Sequence, residues 1–249
     1  MLSRLQLDPE HFAQRLQAAP EAAAPPSLMA CLLRGGLGFT LVAIAGFAPW
    51  ALAGGWLAHA IGELGMYLAC AGVFVALSGP VLHRLVIGPG ALARFAILFL
   101  VAYLAYAAAW ITAWMTLHGN PGSLTGLAAG CILMGWILCQ AFAARGVLAR
   151  VAGALLVGNL LGYYGGGYAE ALVANLDAPG VAAIVHEKAR PTALAMLAWG
   201  ACYGLCVGAG LGAALFSCQG EHRAVFARVA AARAQAGRLP PERTATPGR

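Results

Sequence analysis

The chain has 249 residues, of which 61% are hydrophobic and 10% charged, with a mean hydropathy of +0.77 and a formal net charge of +6. A soluble domain carries about 25% charged residues because its surface faces water, so this composition excludes an ordinary soluble enzyme or binding module. The positive charge does not point to nucleic acid: arginines stand at the ends of apolar runs and in the terminal segments, with no basic face interleaved with aromatics.

In chain order, residues 1–30 read as a cytoplasmic arm. Leu5, Phe12 and Leu16 line part of one face of a short surface helix, which Pro20, Pro25 and Pro26 end. Residues 31–218 hold six apolar runs, the pattern of an all-α, polytopic transmembrane bundle. The first run starts behind a polar arm and five follow, unlike a secretory signal ahead of a soluble domain. The expected spans are 35–52, 56–78, 92–117, 123–142, 151–168 and 192–217. Phe47-Ala48-Pro49-Trp50 falls near the end of the first, where proline is tolerated and tryptophan suits the interface. His118 to Gly122 reads as a tight turn. Residues 169–191 form the longest connection, with a short helix near 169–176 and a turn at Asp177–Gly180; Pro191 suits the first turn of the last helix. Residues 219–249 read as a basic, partly disordered cytoplasmic tail. Arg223, Arg228, Arg233, Arg238 and Arg243 recur every five residues, a spacing that defines no helical stripe.

Two glycine ladders mark the last two spans. Gly158, Gly162 and Gly166 fall four apart in the fifth, and Gly200, Gly204, Gly208 and Gly212 fall four apart in the sixth. On a helix each set makes a smooth groove that lets another backbone approach, which is how helices pack in lipid without a hydrophobic drive. Direct packing of the fifth helix on the sixth, or of each ladder on another helix or subunit, follows from the pattern. The seven cysteines form no CxxC pair and read as small packing residues.

Six spans put both termini on one side. That side holds thirteen of the fifteen basic residues, leaving only Lys188 and Arg190 opposite. The positive-inside rule then puts the termini in the cytoplasm, as for a bacterial inner-membrane protein.

The polar groups name candidate sites. Glu63 is the only carboxylate expected inside a span, where its ionised form is costly, so it should face protein or a cavity and relay protons or bind a cation. His59 lies four residues before it, on one expected helical face. His118, and His186 in the long connection, are further metal-ligand candidates beside His59 and Glu63. Glu170 and Glu187 join His186 as external-loop candidates. Asn159 is a transport or interhelical hydrogen-bond candidate, and Gln140 a second interhelical one. No zincin helix, nucleophile elbow or phosphate loop is present, and the sequence specifies no cofactor. The expected function is transport of a small solute or ion, as carrier or channel component, linked to protons through Glu63. The alternatives are a membrane enzyme with a metal or headgroup site near the external surface, and an assembly scaffold. Expected partners are membrane lipids and another copy of the chain or a second membrane protein.

Overall fold

The computed structural model describes residues 5–19, 24–174 and 189–236, and these form helices and connecting turns without a strand. Helix α1 is Pro9–Ala18. Asp8 caps it by accepting the His11 N–H at 3.1 Å, and Pro9 occupies the first turn, where no N–H is needed.

Helix α2, Leu28–Leu82, starts at the Ser27 cap and folds back on itself. Gly62 has φ 75° and ψ 164°, a region that only glycine enters without strain. A Cβ at Gly54 would lie 3.5 Å from Met66, one at Gly46 would meet Phe74, and one at Gly38 would meet Leu82. These pairs spread evenly from the turn, so the two arms run antiparallel. The break expected between residues 52 and 56 is absent. Helix continues through Pro49 and the following alanines and glycines, and the reversal comes at Gly62.

A 3-10 turn, His83–Leu85, leads towards α3 (Ala91–Leu117). Helix α4 (Gly119–Ala141) follows after His118 alone. His118 and Gly119, each with φ 54°, reverse the chain together, so α4 begins four residues earlier than the expected span. A second 3-10 turn, Arg145–Val147, precedes α5 (Leu148–Ala174). The chain then resumes as α6 (Ala189–Cys218) and α7 (Gly220–Ala236). The Asp177–Gly180 turn, His186 and Glu187 lie outside the described residues.

Helices α2 to α6 are each long and apolar enough to cross a membrane. Large apolar side chains such as Leu41, Ile132 and Leu161 remain exposed on the outside, the surface that a lipid solvent favours. The chain is thus a polytopic, helical integral membrane protein.

Helix α6 is the centre of the packing. The face carrying Gly200, Gly204, Gly208 and Gly212 lies against the first arm of α2: these glycines meet Phe47, Ala43, Gly35 and Cys31 in that order, so the two run antiparallel. A different face of α6 meets α5. Gly158 abuts Cys206 and Gly210, Gly162 abuts Tyr203, and Gly166 abuts Trp199. The fifth and sixth spans do pack together, but not ladder on ladder, because the α6 ladder is already occupied by α2. A third glycine row, Gly122, Gly126 and Gly130 on α4, receives Trp114, Trp110 and Tyr106 of α3.

One end of the bundle gathers Arg34, Arg84, Arg94 and both terminal helices. Arg34 and Arg84 flank a cavity of about 330 Å³ at the base of the α2 hairpin. Arg94 donates to the Leu5 carbonyl at 3.0 Å. Gln219, between α6 and α7, accepts the Ile87 N–H at 2.7 Å and donates to the Leu85 carbonyl at 2.8 Å. Phe12 and Leu16 of α1 pack with Ile87 and Val225, so the short amphipathic helix is buried against α7 and the α2–α3 connection. The tail therefore begins with a helix that holds the N-terminal arm, which its arginine spacing does not disclose.

Candidate functional site

The half of the bundle away from Arg34, Arg84 and Arg94 holds a cavity of about 620 Å³. Its walls come from both arms of α2 and from α3, α4, α5 and α6. Phe47 and Trp50 face Tyr67, Cys70 and Phe74 across the hairpin; Tyr103, Tyr106, Trp110 and Trp114 come from α3; Leu127 comes from α4; Tyr163 and Glu170 come from α5; and Trp199 and Tyr203 come from α6.

The local sequence explains this aromatic lining. On α3, Phe95, Phe99, Tyr103, Tyr106, Trp110 and Trp114 recur at intervals of three or four, one face of a helix. Their neighbours along that face lie with ring centroids 5.5–6.3 Å apart in the pairs Phe99–Tyr103, Tyr103–Tyr106 and Trp110–Trp114. On α6, Trp199 stacks on Tyr203 at 4.9 Å, and Phe47 meets Trp199 edge-on at 5.1 Å. Glycines opposite leave the space: Gly46 lies under Phe74, Gly126 under Trp110 and Gly166 under Trp199.

A polar lock holds one wall. Asn159 is 3% exposed. Its Oδ1 accepts from the Tyr106 hydroxyl at 2.8 Å and the Tyr203 hydroxyl at 3.2 Å, and its Nδ2 donates to the Leu155 carbonyl at 2.9 Å. One amide thus ties α3, α5 and α6 together and orients two cavity rings. Ser123 and Tyr163, 3.2 Å apart, add a link between α4 and α5. Gln140, the other amide expected to bridge helices, instead accepts from Arg145 in the adjoining turn.

The remaining sequence candidates are dispersed. Gly62 interrupts the helix between His59 and Glu63, so the single face expected for this pair does not form. Both are exposed near the hairpin tip, and neither lines the cavity. Glu63 does not occupy the enclosed polar environment expected of it, because it lies at the reversal rather than mid-span. His118 is exposed at the α3–α4 reversal, its ring 6.3 Å from Trp114. Among the described residues no three His, Cys, Asp or Glu side chains come together to hold a metal ion. The metal set of His59, Glu63 and His118 therefore does not assemble, and His186 lies outside the described residues. Glu170 is displaced in the opposite sense. Helix α5 continues to Ala174, so this expected loop residue is a half-buried helical carboxylate on the cavity wall.

The aromatic cluster is the feature that a search for titratable residues overlooks. Its signal is the stripe on α3, combined with Trp199 and Tyr203 four apart on α6.

A second polar centre lies outside the membrane-spanning helices. His222 of α7 is 1% exposed, between Phe12 at 4.8 Å and Phe142 at 5.5 Å. Its Nε2 lies 2.7 Å from the Leu7 carbonyl and so carries the proton there, while Nδ1 is buried without a partner. Burial pushes its pKa down to about 4, against the opposing pull of the Leu7 hydrogen bond. Asp8, on the same side, is also shifted down. Burial raises it, but hydrogen bonds from His11 outweigh that effect.

Comparison of this chain with protein-family models, curated proteins and solved structures finds no match.

Proposed function

We propose that this chain is a six-crossing membrane carrier for small organic solutes, with both termini in the cytoplasm and the aromatic cavity as its solute site. The antiparallel contacts between the arms of α2 support counting Leu28–Leu82 as two crossings. The arginines gathered at the end that holds both terminal helices support the orientation. The single observation that carries the solute reading is the cavity itself. At about 620 Å³ it lies within the range of roughly 300–1,000 Å³ typical of small-molecule sites, and it is built mainly of rings with few polar groups. The opposite half of the bundle, with its smaller arginine-flanked cavity, then faces the cytoplasm. Solute passage would require the α3 wall and the hairpin to part, since α2 and α5 are both held to α6 by backbone-close glycine contacts.

The purified protein offers a direct test. Trp50, Trp110, Trp114 and Trp199, four of its six tryptophans, line the cavity. A small aromatic solute that binds there should change tryptophan emission saturably, and proteoliposomes should accumulate or release it faster than empty vesicles. Absence of both effects across neutral and charged aromatic solutes would overturn the carrier reading. Alkaline-phosphatase fusions should be active after Gly62 and inactive after Leu85. The reverse result would overturn the orientation.

A further inference from the structure

We propose that the cavity selects organic monocations. This rests on the solute-site reading above and adds the class of solute. The ring faces of Trp50, Trp110, Trp199 and their neighbours carry the negative lobe of the aromatic quadrupole, which attracts a cation and repels an anion. Among the described residues Glu170 is the only acid in the lining, and no described arginine, lysine or histidine accompanies it. It lies four residues beyond Gly166, the position that abuts Trp199, so the carboxylate stands on the same face of α5 as the Trp199–Tyr203 stack. No described residue forms an ion pair with it. A carboxylate in such surroundings gains most from a counter-charge supplied by the solute.

A bare metal ion is a poor fit, because hard cations require several oxygen ligands at close range and the wall supplies one carboxylate among rings. A quaternary or alkylated ammonium carried on an apolar body satisfies the rings and the carboxylate together.

The test uses the full-length protein in detergent, with benzyltrimethylammonium and its neutral carbon isostere neopentylbenzene as probes, followed by tryptophan emission. The cation should bind at least about tenfold more tightly than the isostere. Glu170→Gln should weaken the cation at least about tenfold and leave the isostere unchanged, and Glu170→Asp should recover part of the loss. Isostere binding also verifies that each variant is folded, and the wild-type comparison stands if the Gln variant does not fold. Equal affinity of wild type for both probes, or undiminished cation binding in a folded Glu170→Gln protein, would overturn the cation inference while leaving the solute site intact. Binding of neither probe would overturn the solute site as well.

Discussion

Gly208 and Gly35 meet backbone to backbone: a Cβ on either would run into the carbonyl oxygen of the other. The contact joins α6 to the first arm of α2 closely enough that no side chain fits between them. In a bilayer, where burial from water cannot hold helices together, this closeness is itself the source of stability.

Substitution at Gly208 should therefore be costly. Gly208→Ala is expected to destabilise by about 1–3 kcal/mol, as overpacking against a rigid backbone does, and Gly208→Leu to prevent assembly. Gly167→Ala is the control. It faces open space on α5, so it should be neutral or stabilise by up to about 1 kcal/mol through helix propensity. Thermal midpoints in detergent decide the matter, and equal losses in the two alanine variants would refute the close contact.

The reversal at Gly62 makes a separate prediction. Nothing crowds its missing Cβ, but its φ of 75° and ψ of 164° strain any other residue. Gly62→Ala should cost roughly 1–3 kcal/mol from backbone strain alone. Gly55→Ala, equally uncrowded but helical, should not. If both variants melt with the wild type, α2 does not turn at Gly62.

Asn159 should behave as a shared partner rather than as an isolated polar group. Asn159→Leu is expected to cost about 1–2 kcal/mol. Tyr106→Phe should cost less in that background than in the wild type, because its hydrogen bond is already gone. A double-mutant cycle on detergent stability measures the difference. Strict additivity would mean that the 2.8 Å bond contributes nothing.

His222 should make the arm–tail contact sensitive to acid. Its folded pKa, about 4, lies below its ordinary value of 6.5, so the opened state binds the proton first. The contact is fully stable above pH 6.5, weakens as pH falls from 6.5 towards 4, and loses roughly 3 kcal/mol at about 1.4 kcal/mol per pKa unit. Asp8, Arg15 and Arg223 are the charged groups around it. Hydrogen exchange across residues 9–18, corrected for the intrinsic pH dependence, should show opening at pH 4.5 but not at pH 7.5. In His222→Gln, which retains a donor for the Leu7 carbonyl, that contrast should shrink. Identical opening at both pH values in the wild type would refute it.

Legibility in the sequence depended on the range of the interaction. The apolar runs and the four-residue glycine spacing are local patterns, and they point directly to membrane helices with close-packing faces. The Gly62 turn was hidden because glycines at 54, 55, 62 and 65 look alike in sequence, and only one of them adopts a positive φ. Glu63 is the one acid expected inside a run, yet its position relative to the turn leaves it exposed. Glu170 reads as a loop residue in the sequence because the apolar pattern fades before the helix ends.

By itself, the sequence determined the solvent this protein folds in and the kind of element it uses, because hydropathy, charge and helical period are properties of neighbouring residues. Tertiary structure alone decided which faces meet: the α6 ladder takes α2 while its opposite flank takes α5. That choice depends on how whole helices cross and on which grooves are already filled. It brings Trp50, Trp110, Trp199 and Glu170, residues scattered between positions 50 and 199, around one cavity.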